Sequence, residues 1–227
     1  MMVRSGFARA RQLMGLVIVL GALLASGCTK LSMKPPQTPL ALHAVAVQGH
    51  IPNHASRDSE LSIGTAKVSE VTGTAIYPPG LTAYGRMPDQ REWNYQYKVR
   101  DGQSALRGEC LERVGETRYY GLGETTLDVS CRCFAATTQV AEVNLRGGEG
   151  KATLAPAHRF AVFGTRGAKQ GGSSREILGY RFQSGQSVAA IDVTKASGAY
   201  YADNLSQDEQ HAFTCLFAGV LLHRANR

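Results

Sequence analysis

Cysteine is the residue type with the widest chemical repertoire here, and the chain carries five, at positions 28, 110, 131, 133 and 215. Two of them form Ser130-Cys131-Arg132-Cys133, a Cys-x-Cys spacing that suits a redox pair or, with His211 or Cys215, a soft metal ion. Redox pairs usually sit at a helix N-terminus that lowers a thiol pKa, whereas this pair falls inside "TLDVSCRCF", which alternates like a strand. The six histidines show no ligand spacing; His50 and His54 are four apart, but Pro52 between them breaks any shared helical face. Neither a metal nor a cofactor is expected. The other candidate is "GTRGAKQGGSSRE", residues 164–176, where Arg166, Lys169 and Arg175 stand among glycines whose amides could cradle an anion. It lacks the GxxxxGK[ST] order of a phosphate loop and reads more simply as a mobile hairpin tip. No G-x-S-x-G and no H-E-x-x-H occurs, and Asp128, Glu142, Glu176 and Asp192 read as solvated, outward strand positions. A non-catalytic protein is expected.

The leader says where such a protein works. Arg4, Arg9 and Arg11 precede the apolar run Leu13–Leu24, and small residues follow, which is the layout of a secretory signal. At 1.5 Å per residue that run reaches about 18 Å, short of the roughly 30 Å hydrocarbon core. The sequence Ala25-Ser26-Gly27-Cys28 resembles the lipobox of bacterial lipoproteins, with Ala25 where leucine is commonest. The resemblance implies that the chain is cleaved before Cys28, whose sulfur takes a diacylglycerol and whose new amino group is acylated. Several acyl chains together anchor firmly where one alone is marginal, at about 0.8 kcal/mol per buried CH₂. Thr29, rather than Asp, follows the cysteine, which under the same resemblance favours the outer membrane, facing the periplasm.

Three regions follow from this: a signal over 1–27, a lipidated tether over 28–41 and a single β-rich domain over 42–227. The tether holds "TKLSMKPPQTP", whose prolines favour an extended path of about 3 Å per residue, enough to lift a domain some 30 Å from the bilayer. Removing the leader's three arginines lowers the formal net charge from +7 to +4 over the remaining 200 residues. No Lys/Arg cluster interleaves with aromatics, so nucleic acid is not an expected partner. With Cys28 acylated, Cys110, Cys131, Cys133 and Cys215 form an even set in an oxidising compartment, which predicts two disulfides. Cys131 and Cys133 lie too close along one strand to bond to each other without distorting it, so Cys110 and Cys215 each join one of them. Which joins which stays open.

From residue 42 the apolar period is two. "HAVAVQ", "SIGTAKV", "VTGTAIY", "EWNYQYKVRDG", "TLDVSCRCF", "AEVNL", "RFAVF", "ILGYRF", "SVAAIDV" and "GAYYA" read as strands between Gly-, Ser- and Pro-rich breaks. Asp101-Gly102 supplies a tight turn. Trp93, Tyr95 and Tyr97 share one face, which reads as core rather than as a grip for a glycan or peptide. "ALRGECLERVG" is ambiguous, since Leu106, Cys110 and Val114 also fit a helical face. After these, Ser206 and Glu209 make a capping box ahead of "AFTCLFAGVLL", so a helix runs from about 207 to 224. Its apolar residues point in nearly every direction, and a helix apolar all round must be enclosed by protein.

About twelve antiparallel strands around a buried C-terminal helix form the expected fold, a barrel; the alternative is a β-sandwich with the helix packed on its side. The pattern from Glu92 to His223, carried mainly by "GYRFQSGQSVAAIDVTKASGAYYADNLSQDEQHAF", resembles the tubby-like barrel shared by tubby domains, LURP-one-related proteins and scramblases. That resemblance implies the same barrel and a tendency to engage membranes or lipid headgroups, without a transferable site residue. The expected role is a non-catalytic binding or scaffold lipoprotein of the envelope with a protein partner. The alternatives are an immunity or inhibitor lipoprotein directed at an envelope-targeting toxin or hydrolase, or a lipid-binding module. Labelled palmitate is expected on the wild-type protein and not on Cys28→Ala; equal labelling of the two refutes the anchor.

Overall fold

Period-two alternation fixes which residues of a strand face inward, and here it wraps into a ring. The computed structural model describes residues 31–49, 61–76, 90–119, 122–174, 176–194 and 198–225. Residues 1–30, which include the expected signal and Cys28, lie outside the described residues, as do His50, His54 and Arg175. The strands are β1 (Leu42–Gly49), β2 (Leu61–Ile63), β3 (Ala66–Ile76), β4 (Gln90–Asp101), β5 (Ser104–Tyr119) and β6 (Leu122–Ala135). They continue as β7 (Thr138–Arg146), β8 (Glu149–Leu154), β9 (His158–Thr165), β10 (Gly179–Ser184), β11 (Ser187–Asp192) and β12 (Gly198–Ala202). A single helix, α1 (Gln207–Ala225), follows the last strand. Each strand pairs antiparallel with its chain neighbours, and β1 closes the ring by bonding both β2 and β12. The fold is the closed barrel around a helix, not the sandwich.

Three local readings change. "SIGTAKV" is not one strand but a hairpin, β2 and β3 meeting at Gly64, whose φ of 61° is left-handed. "ALRGECLERVG" lies wholly within β5; its register with β4 and β6 decides for strand where local periodicity was equivocal. The strand β8, "EGKATL", carried no sequence signal, because only Ala152 and Leu154 face inward along it.

The inside is apolar and the outside charged. Tyr95, Tyr97, Val99, Val129, Val143, Phe160 and Phe182 point in, whereas Lys98, Arg100, Arg107, Glu109, Arg113 and Arg132 point out, most of them in surface ion pairs. A barrel that crosses a bilayer has the opposite arrangement, with an apolar outer band. Among the described residues no helix is long and apolar enough to cross a membrane.

What fills the ring is α1. Every residue from Ala212 to His223 is buried. Its start is the capping box: the Glu209 amide donates to Ser206 Oγ at 3.3 Å, and the Ser206 amide donates to Glu209 Oε2 at 2.9 Å. Burial pushes the Glu209 carboxyl up, but bonds from His158, whose Nδ1 lies 2.6 Å away, and from Ser206 outweigh it and hold it below the usual carboxylate range. Phe213 and Phe217 pack edge-on and tilted among Phe160, Phe182 and Tyr201, with centroids 4.9 to 5.7 Å apart. Burying a Phe or Leu side chain contributes about 2 kcal/mol, so this face alone outweighs any single surface pair.

Polar atoms bind wall to plug as well. The Tyr95 hydroxyl donates to the Gly219 carbonyl at 3.0 Å and the Tyr97 hydroxyl to the Cys215 carbonyl at 2.9 Å. Thr214 donates to the Gln210 carbonyl, which leaves its oxygen to accept from Tyr201 at 2.8 Å. Burial pushes the Tyr95, Tyr97 and Tyr201 hydroxyls well above the ordinary phenol range, so they remain donors at any working pH.

The helix comes closest to the wall at Gly219. A Cβ there would lie 2.6 Å from the Tyr97 hydroxyl and 2.7 and 2.8 Å from the sulfurs of Cys110 and Cys131. Gly219→Val is expected to destabilise the protein by about 3 kcal/mol in chemical denaturation, through overpacking against atoms that cannot retreat; wild-type stability would show that the helix does not sit against this wall.

Candidate functional site

The cysteines do structural work. Cys110 and Cys131 face each other across β5 and β6 and are bonded, and Cys133, two residues on and also inward, is bonded to Cys215 on α1. The first bridge ties two wall strands; the second ties wall to plug across 82 residues of chain. His211, the other residue weighed for a soft metal, places Nε2 2.9 Å from Asp101 Oδ2 instead. Among the described residues no group of three or more His, Cys, Asp or Glu converges. Tyr95 and Tyr97 belong to the core, and Trp93 is half-buried.

A buried acid–base pair lies inside the barrel at the far end of α1. Glu112, an inward residue of β5, and His223 are almost fully buried, with Nδ1 and Oε2 2.6 Å apart. The approach is close but badly aligned, and neither carboxylate oxygen makes a well-formed hydrogen bond among the described residues. Such a pair resists removal of one partner, because the other would stay buried and uncompensated. "RGECLERVG" gave no warning of it: the second glutamate looks as solvated as the first until the strand's facing is known.

Asp192 overturns a sequence reading. It is not a solvated outward acid; it is wholly buried. Its side chain does point out of the barrel, but the segment before β1 lies over it. Ser32 Oγ and the Met33 amide donate to Oδ2 at 2.7 and 2.8 Å, and the Thr194 amide donates to Oδ1 at 2.8 Å. Met33, fully buried, settles on Ala168, Leu178 and Ala190, with Tyr200 at the edge. Burial and the nearby Asp192 raise the Tyr200 hydroxyl. Gly179 makes room for this strap, since a Cβ there would meet the Met33 sulfur and the Ile191 carbonyl. The stretch read as tether is therefore seated on the barrel from about Ser32 onward.

The basic loop is part of the same structure. Gly167 and Ser173 bridge within it, and Met33 and Ala168 bridge between strap and loop. The Lys34 amide donates to the Gly167 carbonyl at 2.9 Å and the Lys169 amide to the Ser32 carbonyl at 2.8 Å. Arg166 and Lys169 are exposed on it, as the sequence suggested, whereas Arg175 lies outside the described residues. The loop is a clasp on the strap rather than a free tip.

A second feature is a groove on the outer wall. Leu111, Ser130, Asn144, Arg146, Glu149 and Lys151 line a depression of about 480 Å³ across β5 to β8, which continues past Asn144 and Lys151 toward Arg159 on β9. Lys151 and Arg159 have no ion-pair partner among the described residues, whereas Arg113 and Arg132 are paired to Glu92 and Glu142. Asp128 and Glu142 lie at this surface, as read.

Comparison with protein-family models, with curated proteins and with solved structures returns no match.

Removing the Asp192 carboxylate takes away three acceptor contacts, two of them to the strap. In Asp192→Ala the Met33 and Lys34 amides are expected to exchange with deuterium about a hundredfold faster, with wall amides such as Val143 unchanged; unaltered strap exchange would refute the clamp.

Proposed function

We propose that this chain is an envelope lipoprotein, anchored through Cys28 and facing the periplasm, whose barrel is a non-catalytic binding or scaffold module. The observation that supports this most is the plug. A barrel filled from Ala212 to His223 by its own helix, cross-linked to the wall, holds a ligand on its outside rather than in a lumen. The outside is polar and carries a groove with the cations Lys151 and Arg159, which have no ion-pair partner among the described residues, and this suits an acidic surface of a protein partner. A filled interior also favours surface engagement over carriage of an acyl chain, if the tubby-like resemblance extends to lipid contact.

The second reading is an immunity or inhibitor lipoprotein. Two disulfides in a compact domain held close to a membrane favour it, since such a protein must survive where it meets a secreted toxin or hydrolase. Both readings place the partner on the outer wall.

Detergent extracts passed over the immobilised mature protein are expected to yield one stoichiometric partner. Lys151→Glu with Arg159→Glu is expected to weaken its capture about tenfold at moderate salt. No stoichiometric partner, or one bound equally by the double variant, speaks against the groove as the binding surface.

A further inference from the structure

Among the residues whose side chains are described, two large apolar ones are exposed, Leu31 at 50% and Phe163 at 46%. They fall on one flank. Phe163 points outward from β9, in register with Arg181 on β10, and Arg181 is in turn in register with Ala190, which lies under the strap residue Met33. Leu31 sits on that strap, one residue before the Ser32 that Asp192 holds. Around them stand Lys34, Arg166 and Lys169, exposed and stitched together by the backbone bonds of strap and clasp. The flank is not free of acids: Glu149 is the register partner of Phe163, and Glu176 lies beyond the clasp. Asp192 is buried beneath the strap, with both carboxylate oxygens hydrogen-bonded.

Apolar tips among cations are what an anionic lipid surface recognises: the cations meet headgroup charge and the tips enter the headgroup–acyl boundary. Chain length points the same way. Cys28 precedes Ser32 by four residues, which span at most about 14 Å when fully extended. A leash that short, ending at a fixed point on the wall, cannot lift the barrel away from its acyl chains. We infer that the flank built from the strap, Phe163 and the clasp lies against the anionic bilayer surface, so that the β3–β5 wall, across the ring from β10, faces away. This rests on the lipid anchor proposed above and adds to it an orientation.

Tryptophan fluorescence with brominated lipid tests it. The chain has one tryptophan, so Trp93→Phe provides a silent background. Into this, Phe163→Trp is placed on the flank and Gln96→Trp on the outer face of β4, each in the acylated full chain reconstituted in phosphatidylethanolamine–phosphatidylglycerol vesicles. Brominated tails are expected to quench residue 163 about threefold more than residue 96. Changing Lys34, Arg166 and Lys169 together to glutamate is expected to remove most of that difference. Leu31→Trp reads the same flank if Phe163→Trp does not fold by near-ultraviolet circular dichroism. Equal quenching at the two positions, in protein that carries palmitate, overturns the orientation and leaves the anchor standing. Protein without palmitate overturns the anchor, and the orientation with it.

Discussion

The constraint behind this structure is that a helix with apolar side chains on every side cannot rest on a surface. Phe213, Leu216, Phe217, Val220, Leu221 and Leu222 leave no face for water, and closing a sheet around them satisfies all of them at once. Much else answers to that. Inward positions of twelve strands become one core. The Tyr95 and Tyr97 hydroxyls find acceptors on the helix rather than in solvent. Gly219 lets the helix come within reach of the Cys110–Cys131 bridge. Because the helix occupies the lumen, the surface left accessible is the outer one.

That outer surface is not uniform. Over β3 to β7 it shows the expected pattern of a solvated sheet, with opposite charges opposed across strands and contributing little each. Over β10 and β11 it is a small second core, where Gly179, Ala190 and Asp192 are too small or too specifically bonded to be ordinary outward residues. The strap explains them. A barrel has an inside and an outside by geometry, but a segment laid across the wall adds a buried layer that strand alternation does not announce.

What could be read from the sequence, and what could not, follows the same division. The helix was legible because Ser206 and Glu209 mark its start and because its apolar residues show no stripe. Tyr95, Tyr97, Cys131 and Cys133 were legible as inward because long, clean alternation surrounds them. The strand β8 was not, since its inward residues are an alanine and one leucine, and "SIGTAKV" hid a two-residue turn, Gly64-Thr65, inside what looked like one alternating strand. Asp192 and Glu112 were misjudged or overlooked because burial of an acid depends on what lies opposite it. For Asp192 that is a segment some 160 residues away, and for Glu112 it is His223. The clasp followed the same rule: Arg166 and Lys169 were found by composition, while their neighbour Met33 sat in a proline-rich stretch that offered no hint of docking.

The order of elements along the chain carries a further consequence. The plug follows every strand it supports, so a chain that appears from its N-terminus onward, strand by strand, presents a wall with nothing to close upon. Ring closure joins β1 to β12, and the Cys133–Cys215 bond joins positions 82 residues apart, both contacts that only late residues can complete. Such long-range closure is slow and exposes unpaired edges meanwhile. The barrel short of its last segment is thus the most vulnerable form of this protein, open-edged and unfilled in the interval before residue 207 arrives.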